Sequence, residues 1–156
     1  MVPTIKPEVQ VNFDGASISV VIRDSTGNIL GALLERITLP LTVYHIEALA
    51  CKRAIEFAIE NGLQQVVFKG DFATVLNYIN VGAPCLAPFG HIIEDSINLT
   101  SLLSQCSFSH VRRKGNAIAD KLAKLAKFCI VPKVWLEDIP NDVNSLVLVD
   151  ISLALA

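Results

Sequence analysis

Four carboxylates stand where the sequence passes from one structural element to the next: Asp14, Glu47, Asp71 and Asp120. Carboxylates gathered in one place repel strongly unless they are protonated or bridged by cations. Magnesium or manganese, which take hard oxygen ligands, relieve that repulsion. Two such ions roughly 3.5–4 Å apart can activate a water and stabilise the leaving oxygen of a phosphodiester. Any one of these acids alone reads as a solvated surface charge or a helix-cap partner, Glu47 above all. The set of four points instead to a metal centre.

The elements that must position them follow from the patterning. Glu8–Asp14 alternates, with Val9, Val11 and Phe13 on one side, and reads as a strand ending at Asp14. Ser19–Arg23 is rich in β-formers, and the turn cluster Asp24–Asn28 leads to a third strand near Ile29–Ile37, which makes an antiparallel meander. The period then changes. Ile46, Leu49, Ala50, Ala54, Phe57 and Ala58 recur at helical spacing up to a stop at Gly62, which places Glu47 in a first helical turn. Gln65–Gly70 is a short apolar strand with Asp71 directly behind it, and Phe72–Ile79 a short helix. The spacing predicts a loop over Val81–Gly90, a helix over His91–Leu103, a fifth strand over Ser107–Arg112 and a helix over Asn116–Phe128 that carries Asp120. The expected architecture is α/β: a mixed five-stranded sheet, three antiparallel strands then two parallel, with helices on both faces. Strand ends and helix starts are where such sheets gather their functional groups.

With 156 residues, 52% of them hydrophobic, the chain supplies one domain with a full core. Its boundaries are read as 8–140, followed by an apolar tail, 141–156, packed on the domain or at an interface such as a homo-oligomer contact. No apolar run reaches the roughly 18 residues of a membrane span, and the opening residues carry no secretory pattern. The expectation is an intracellular protein, nuclear or cytoplasmic, without a membrane partner. The cysteines, Cys51, Cys85, Cys106 and Cys129, are too far apart for a zinc site and read as reduced thiols. A net charge of −2 lacks the footprint of a strongly basic nucleic-acid binder. Phosphate affinity therefore falls to a local patch, Arg112, Arg113 and Lys114, and to bound cations. Lys121 and Lys124 follow at helical spacing and read equally as an ordinary solvated face.

In order, these segments resemble one family. Asn12-Phe-Asp-Gly-Ala16 looks like the first-strand motif of ribonuclease H domains, and Val20–Asp24 with Gly27-Asn28 and Gly31-Ala32 resembles their second and third strands. Glu47-Ala-Leu-Ala50, Gly70-Asp71 and Asn116-Ala-Ile-Ala-Asp120-Lys-Leu-Ala123 look like the segments bearing the second, third and fourth acids. His110-Val-Arg-Arg113 and Val134-Trp-Leu-Glu137 resemble the plant branch, which occurs in retroelement polyproteins and as stand-alone relatives. The resemblance implies hydrolysis of the RNA strand of an RNA–DNA hybrid with Mg2+, or Mn2+ as substitute. It implies that Asp14 and Asp71 are central metal ligands, that Glu47 holds the ion on the ribose side, and that Asp120 completes the second position. Asn116, a helical turn before Asp120, would contact nucleic acid or support the site.

Several features depart from the family pattern or sit beside it. Asp14-Gly-Ala-Ser17 runs almost straight into the second strand, where the family carries a glycine-rich stretch. Phe72 follows the third acid, and its ring either crowds the site or turns into the core. Together these keep open a second reading, a catalytically silent domesticated domain that binds nucleic acid or protein. His110 reads as a strand histidine satisfied by its neighbours, with a direct catalytic role as the alternative. His45 and His91 read as helix-start residues, and Trp135 as an anchor for the tail.

Overall fold

The computed structural model describes residues 9–14, 18–35, 42–82, 86–125 and 133–136. Within that range the side chains of Asn12, Asp14, Arg113, Lys133, Trp135, Leu136 and residues 122–125 are outside the description. The strands are β1 (Val9–Asp14), β2 (Ile18–Arg23), β3 (Ile29–Glu35), β4 (Gln65–Gly70), β5 (Gln105–His110) and β6 (Lys133–Leu136). The helices are α1 (Val43–Glu60), α2 (Ala73–Val81), α3 (Gly90–Thr100) and α4 (Ala117–Leu125), the last preceded by a 3-10 turn, Arg113–Asn116.

The strands form one mixed sheet in the order β5-β4-β1-β2-β3-β6. The antiparallel meander β1–β2–β3 and the parallel pairs β1·β4 and β4·β5 are those expected. The sixth strand is an addition, pairing antiparallel with β3 from Gly31↔Leu136 to Leu34↔Lys133. It is four residues long and follows Pro132, and a proline-flanked segment of that length is at home only on a sheet edge. Trp135, read as an anchor, lies in this strand with Ala32 as its backbone partner. The 141–156 tail and its boundary, together with Cys85 and Cys129, lie outside the described residues.

The two faces carry separate packing. Val11, Phe13, Val20, Ile22 and Leu33 join α1, α2 and α3 in the main core. Residues of opposite parity, Ser19, Val21, Ala32 and Leu34, are equally buried and face the side of α4, whose Ile118 and Ala119 are buried. β2 is thus covered on both faces, as the continuous burial of Ile18–Ile22 requires. β4 and β5 are joined by the in-register pair Phe68↔Phe108, whose rings stack at 5.0 Å.

Helix boundaries follow local chemistry more than apolar period. α1 begins at Val43 because the Thr42 hydroxyl accepts from the His45 backbone N–H at 3.3 Å. That start puts Glu47 in the second turn, one turn later than the apolar spacing suggested. Asn61 caps the helix, and Gly62 at φ +71° lets the chain leave. Among the described residues no helix is long and apolar enough to cross a membrane.

Candidate metal and nucleic-acid site

β1, β4 and β5 are mutually parallel, so their carboxyl ends share one edge of the sheet. β3 is antiparallel to β2 and therefore runs with β1, so the chain leaves β3 towards α1 at that same edge. The β1·β4 register runs from Val9↔Val66 to Asn12↔Lys69. Continued two residues, the same offset sets Asp14 beside Asp71.

Gly70 permits this close approach. A Cβ on Gly70 would lie 2.7 Å from the tip of the Phe13 ring, so only glycine lets that ring cross the end of β4. On the other side, Asp14 pairs in register with Ser19 of β2. The short connection has therefore kept a register in which the buried pairs Val11↔Ile22 and Phe13↔Val20 lie opposite each other.

Asp120 reaches this edge through two buried hydrogen bonds. Ser19 Oγ donates to the Ala119 carbonyl at 2.6 Å, and Asn116 Nδ2 donates to the Phe13 carbonyl at 2.8 Å. The acceptors immediately precede Asp120 and Asp14 in the chain, so α4 is fastened to the strand ends beside both acids. Asn116 is 1% exposed, so of the two roles open to it, nucleic-acid contact or support of the site, burial fits support. Its carboxamide serves the backbone of β1 and offers no surface to a ligand.

Glu47 is buried on α1, 8% exposed. Three residues earlier, the Tyr44 ring packs edge-on against Phe72 at 5.3 Å, so the start of α1 lies against the residue that follows Asp71. Phe72 is half-buried and packed against the main core, so of the two orientations open to it the ring takes the core one. Burial, reinforced by the charge of Glu47 one turn away, pushes the Cys51 thiol far above its ordinary range. Cys51 is thus an inert packing residue.

Arg112 and Lys114 are exposed on the connection from β5 to α4, at the carboxyl edge. The side chain of Arg113 lies outside the described residues. His110, the last residue of β5, brings Nε2 to 3.1 Å from the Asp71 carbonyl. His45 Nδ1 lies 2.7 Å from the Thr42 hydroxyl, at the helix start. Among the described residues no three His, Cys, Asp or Glu side chains form a group able to hold a metal ion. The Asp14 side chain, which the resemblance puts at the centre, is not among them.

Sequence reasoning passed over Ser19 altogether. The signal was there: one hydroxyl inside the apolar run Ile18-Ser-Val-Val-Ile22 requires a buried partner.

The fold has known counterparts. RNase H1 from the halophilic archaeon Halobacterium salinarum superposes with a TM-score of 0.71 and 25% identity, over 78% of this chain and 98% of that one. The N-terminal RNase H domain of a Mycobacterium tuberculosis protein gives 0.70 at 18% identity, over 78% and 94%. LC11-RNase H1, solved in complex with an RNA/DNA hybrid, gives 0.64 at 20% identity, over 76% and 94%. Sheet order, helix placement and these superpositions define a ribonuclease H-like domain. The chain belongs to the reverse transcriptase-like family, whose model matches residues 8–126. No curated protein sequence matches it.

Proposed function

We propose that this domain is a metal-dependent endonuclease that hydrolyses the RNA strand of RNA–DNA hybrids, with Asp14, Glu47, Asp71 and Asp120 as metal ligands. The observation that carries this reading is the parallel β1·β4 register, running to Asn12↔Lys69, whose continuation would bring Asp14 and Asp71 to adjacent strand ends, with α4 fastened to β1 and β2 by the Asn116 and Ser19 bonds. A donor set made of carboxylates fits a hard divalent cation and does not fit a soft one. Two bound Mg2+ ions, or Mn2+ in their place, would supply an activated water and charge compensation at the leaving oxygen.

The protein's own groups do the rest. Asp14 and Asp71 would be the central ligands, with Glu47 serving the ribose side and Asp120 the second position. Asn116 and Ser19 hold the strand and helix that carry them. Arg112, Arg113 and Lys114 draw the phosphate backbone by a salt-sensitive, sequence-independent attraction. A hybrid is distinguished from duplex DNA through 2′-hydroxyls in its wide, shallow minor groove. We assign the chain to the plant, retroelement-derived branch on the segments His110–Arg113 and Val134–Glu137, and to the nucleus or cytoplasm.

One observation favours a second reading. Only three residues separate the end of β1 from the start of β2, where the family pattern has a longer stretch that meets the hybrid. On that reading the domain binds nucleic acid or protein without cutting. The test is cleavage of a labelled RNA–DNA hybrid in Mg2+, then Mn2+, with Asp71→Asn as the blank. Cutting of the RNA strand that disappears in the blank supports the nuclease. A folded protein inactive with both metals refutes it in favour of the binding module.

A further inference from the structure

We propose that His110 is a positioning residue for Asp71: its imidazole holds the Asp71 peptide, and so the carboxylate, in the orientation that receives the metal. This inference rests on the reading of Asp71 as a metal ligand. His110 is opposite Gly70 in the parallel register of β4 and β5, at the last rung of that pairing. The backbone carries the ladder one bond further, from Val111 N–H to the Gly70 carbonyl at 2.9 Å. The imidazole then reaches one residue beyond, to the Asp71 carbonyl at 3.1 Å from Nε2. A carbonyl can only accept, so Nε2 carries the hydrogen and the tautomer is set by this bond.

Two neighbouring bonds give the contact its meaning. Asn116 grips the carbonyl before Asp14, and Ser19 grips the carbonyl before Asp120. His110 grips the carbonyl of Asp71 itself, so three of the four acids have a side chain from another element fixing their backbone. The Asn116 and Ser19 bonds are buried, and removing either side chain disturbs the packing between helix and sheet. His110 is exposed and contributes nothing to the core. Its one described bond is directed at the site. Groups that orient a metal ligand from outside the coordination sphere typically carry about 10- to 100-fold in metal affinity or activity.

The experiment is a Mg2+ titration of the melting temperature of the full chain, since a cation bound to the folded state raises it according to concentration over Kd. Wild type, His110→Ala, His110→Gln and Asp71→Asn are compared, with steady-state cleavage of the hybrid alongside. His110→Ala is expected to melt near wild type without metal, to need about tenfold more Mg2+ for the same rise, and to lower kcat while leaving KM for the hybrid alone. His110→Gln, which returns an N–H at a similar reach, restores both. An unchanged Mg2+ midpoint in His110→Ala, while Asp71→Asn abolishes the response, overturns the role of His110 and leaves the metal site standing. A raised KM with kcat and Mg2+ midpoint intact also overturns it, because the imidazole would then be meeting the hybrid. If wild type responds to Mg2+ no more than Asp71→Asn does, the metal-ligand reading fails and this inference falls with it.

Discussion

Asn116→Ala tests whether α4 is fastened to the strand ends as the geometry requires. The substitution deletes the donor to the Phe13 carbonyl, a 2.8 Å bond joining residues 103 positions apart. Phe13 is 1% exposed, so its carbonyl is left without that partner in a place water does not readily reach. An orphaned buried acceptor costs about 1–3 kcal/mol, and the small void left by the carboxamide adds to it. We expect a loss of about 2–3 kcal/mol, which at roughly 2–4 °C per kcal/mol for a domain of this size lowers Tm by about 4–12 °C.

Asn116→Asp sharpens the test. The shape is kept, but a carboxylate oxygen replaces the donor and faces the Phe13 carbonyl, so acceptor meets acceptor. The Asp variant should therefore melt below the Ala variant at neutral pH. Its deficit should shrink as pH falls into the carboxylic-acid range, where the protonated side chain recovers a donor. Thermal unfolding followed by circular dichroism at two pH values is sufficient. An Asp variant that melts like wild type at neutral pH would refute the reasoning, because no donor would then be needed against β1.

Gly70→Ala puts a methyl 2.7 Å from the Phe13 ring and should cost about 1–3 kcal/mol in urea unfolding, with the m-value unchanged. If Arg112 and Lys114 neutralise phosphates, replacing each by Ala should flatten the plot of log binding constant against log salt by about one unit, whatever the hybrid sequence. The Thr26 hydroxyl bond chiefly holds the Asp24 carboxyl below its ordinary value of 3.8, with the Asn28 and Thr26 backbone N–H groups assisting. A carboxyl whose folded pKa is depressed adds stability above its unfolded value and loses it as pH falls through the folded one. The Tm advantage of wild type over Asp24→Ala should therefore be present at neutral pH and narrow steadily below about pH 4; an advantage that does not change with pH contradicts this.

Much of this was legible before the fold was known. The alternation in Glu8–Asp14, the turn cluster at Asp24–Asn28 and the change to helical period after Ile46 carry five of the six described strands and their antiparallel and parallel pairings. Part of what escaped detection depends on partners far away in the chain, and part on single residues or segments too short to carry a period. Asn116 is a polar residue beside a basic loop, and its sequence context resembles that of a ligand-facing group. Its burial arises because it serves Phe13, and no local pattern carries that pairing. The direction of the Phe72 ring is decided by Tyr44 and the core, not by its neighbour Asp71. The start of α1 is set by a single hydroxyl, Thr42, whereas apolar spacing reports only the buried face. β6 is too short to show a period at all.

The shortened Asp14–Ser17 connection can now be weighed by what holds each acid. β1 is held through β4 on one side, through Ser19 of β2 on the other, and by Asn116 at the Phe13 carbonyl. Asp71 is held through Gly70 and His110, and Asp120 through Ser19 at the Ala119 carbonyl. All of these bonds are made by described residues on either side of the 15–17 connection. On the proposed function, a defect of the connection itself would then act where the family's longer glycine-rich backbone is expected to meet the minor groove of a hybrid. Two defects that look alike in a single activity assay thus separate. Loss through the hairpin would raise KM for the hybrid while the Mg2+-dependent rise in melting temperature persists. Loss through the acids would remove that rise together with turnover.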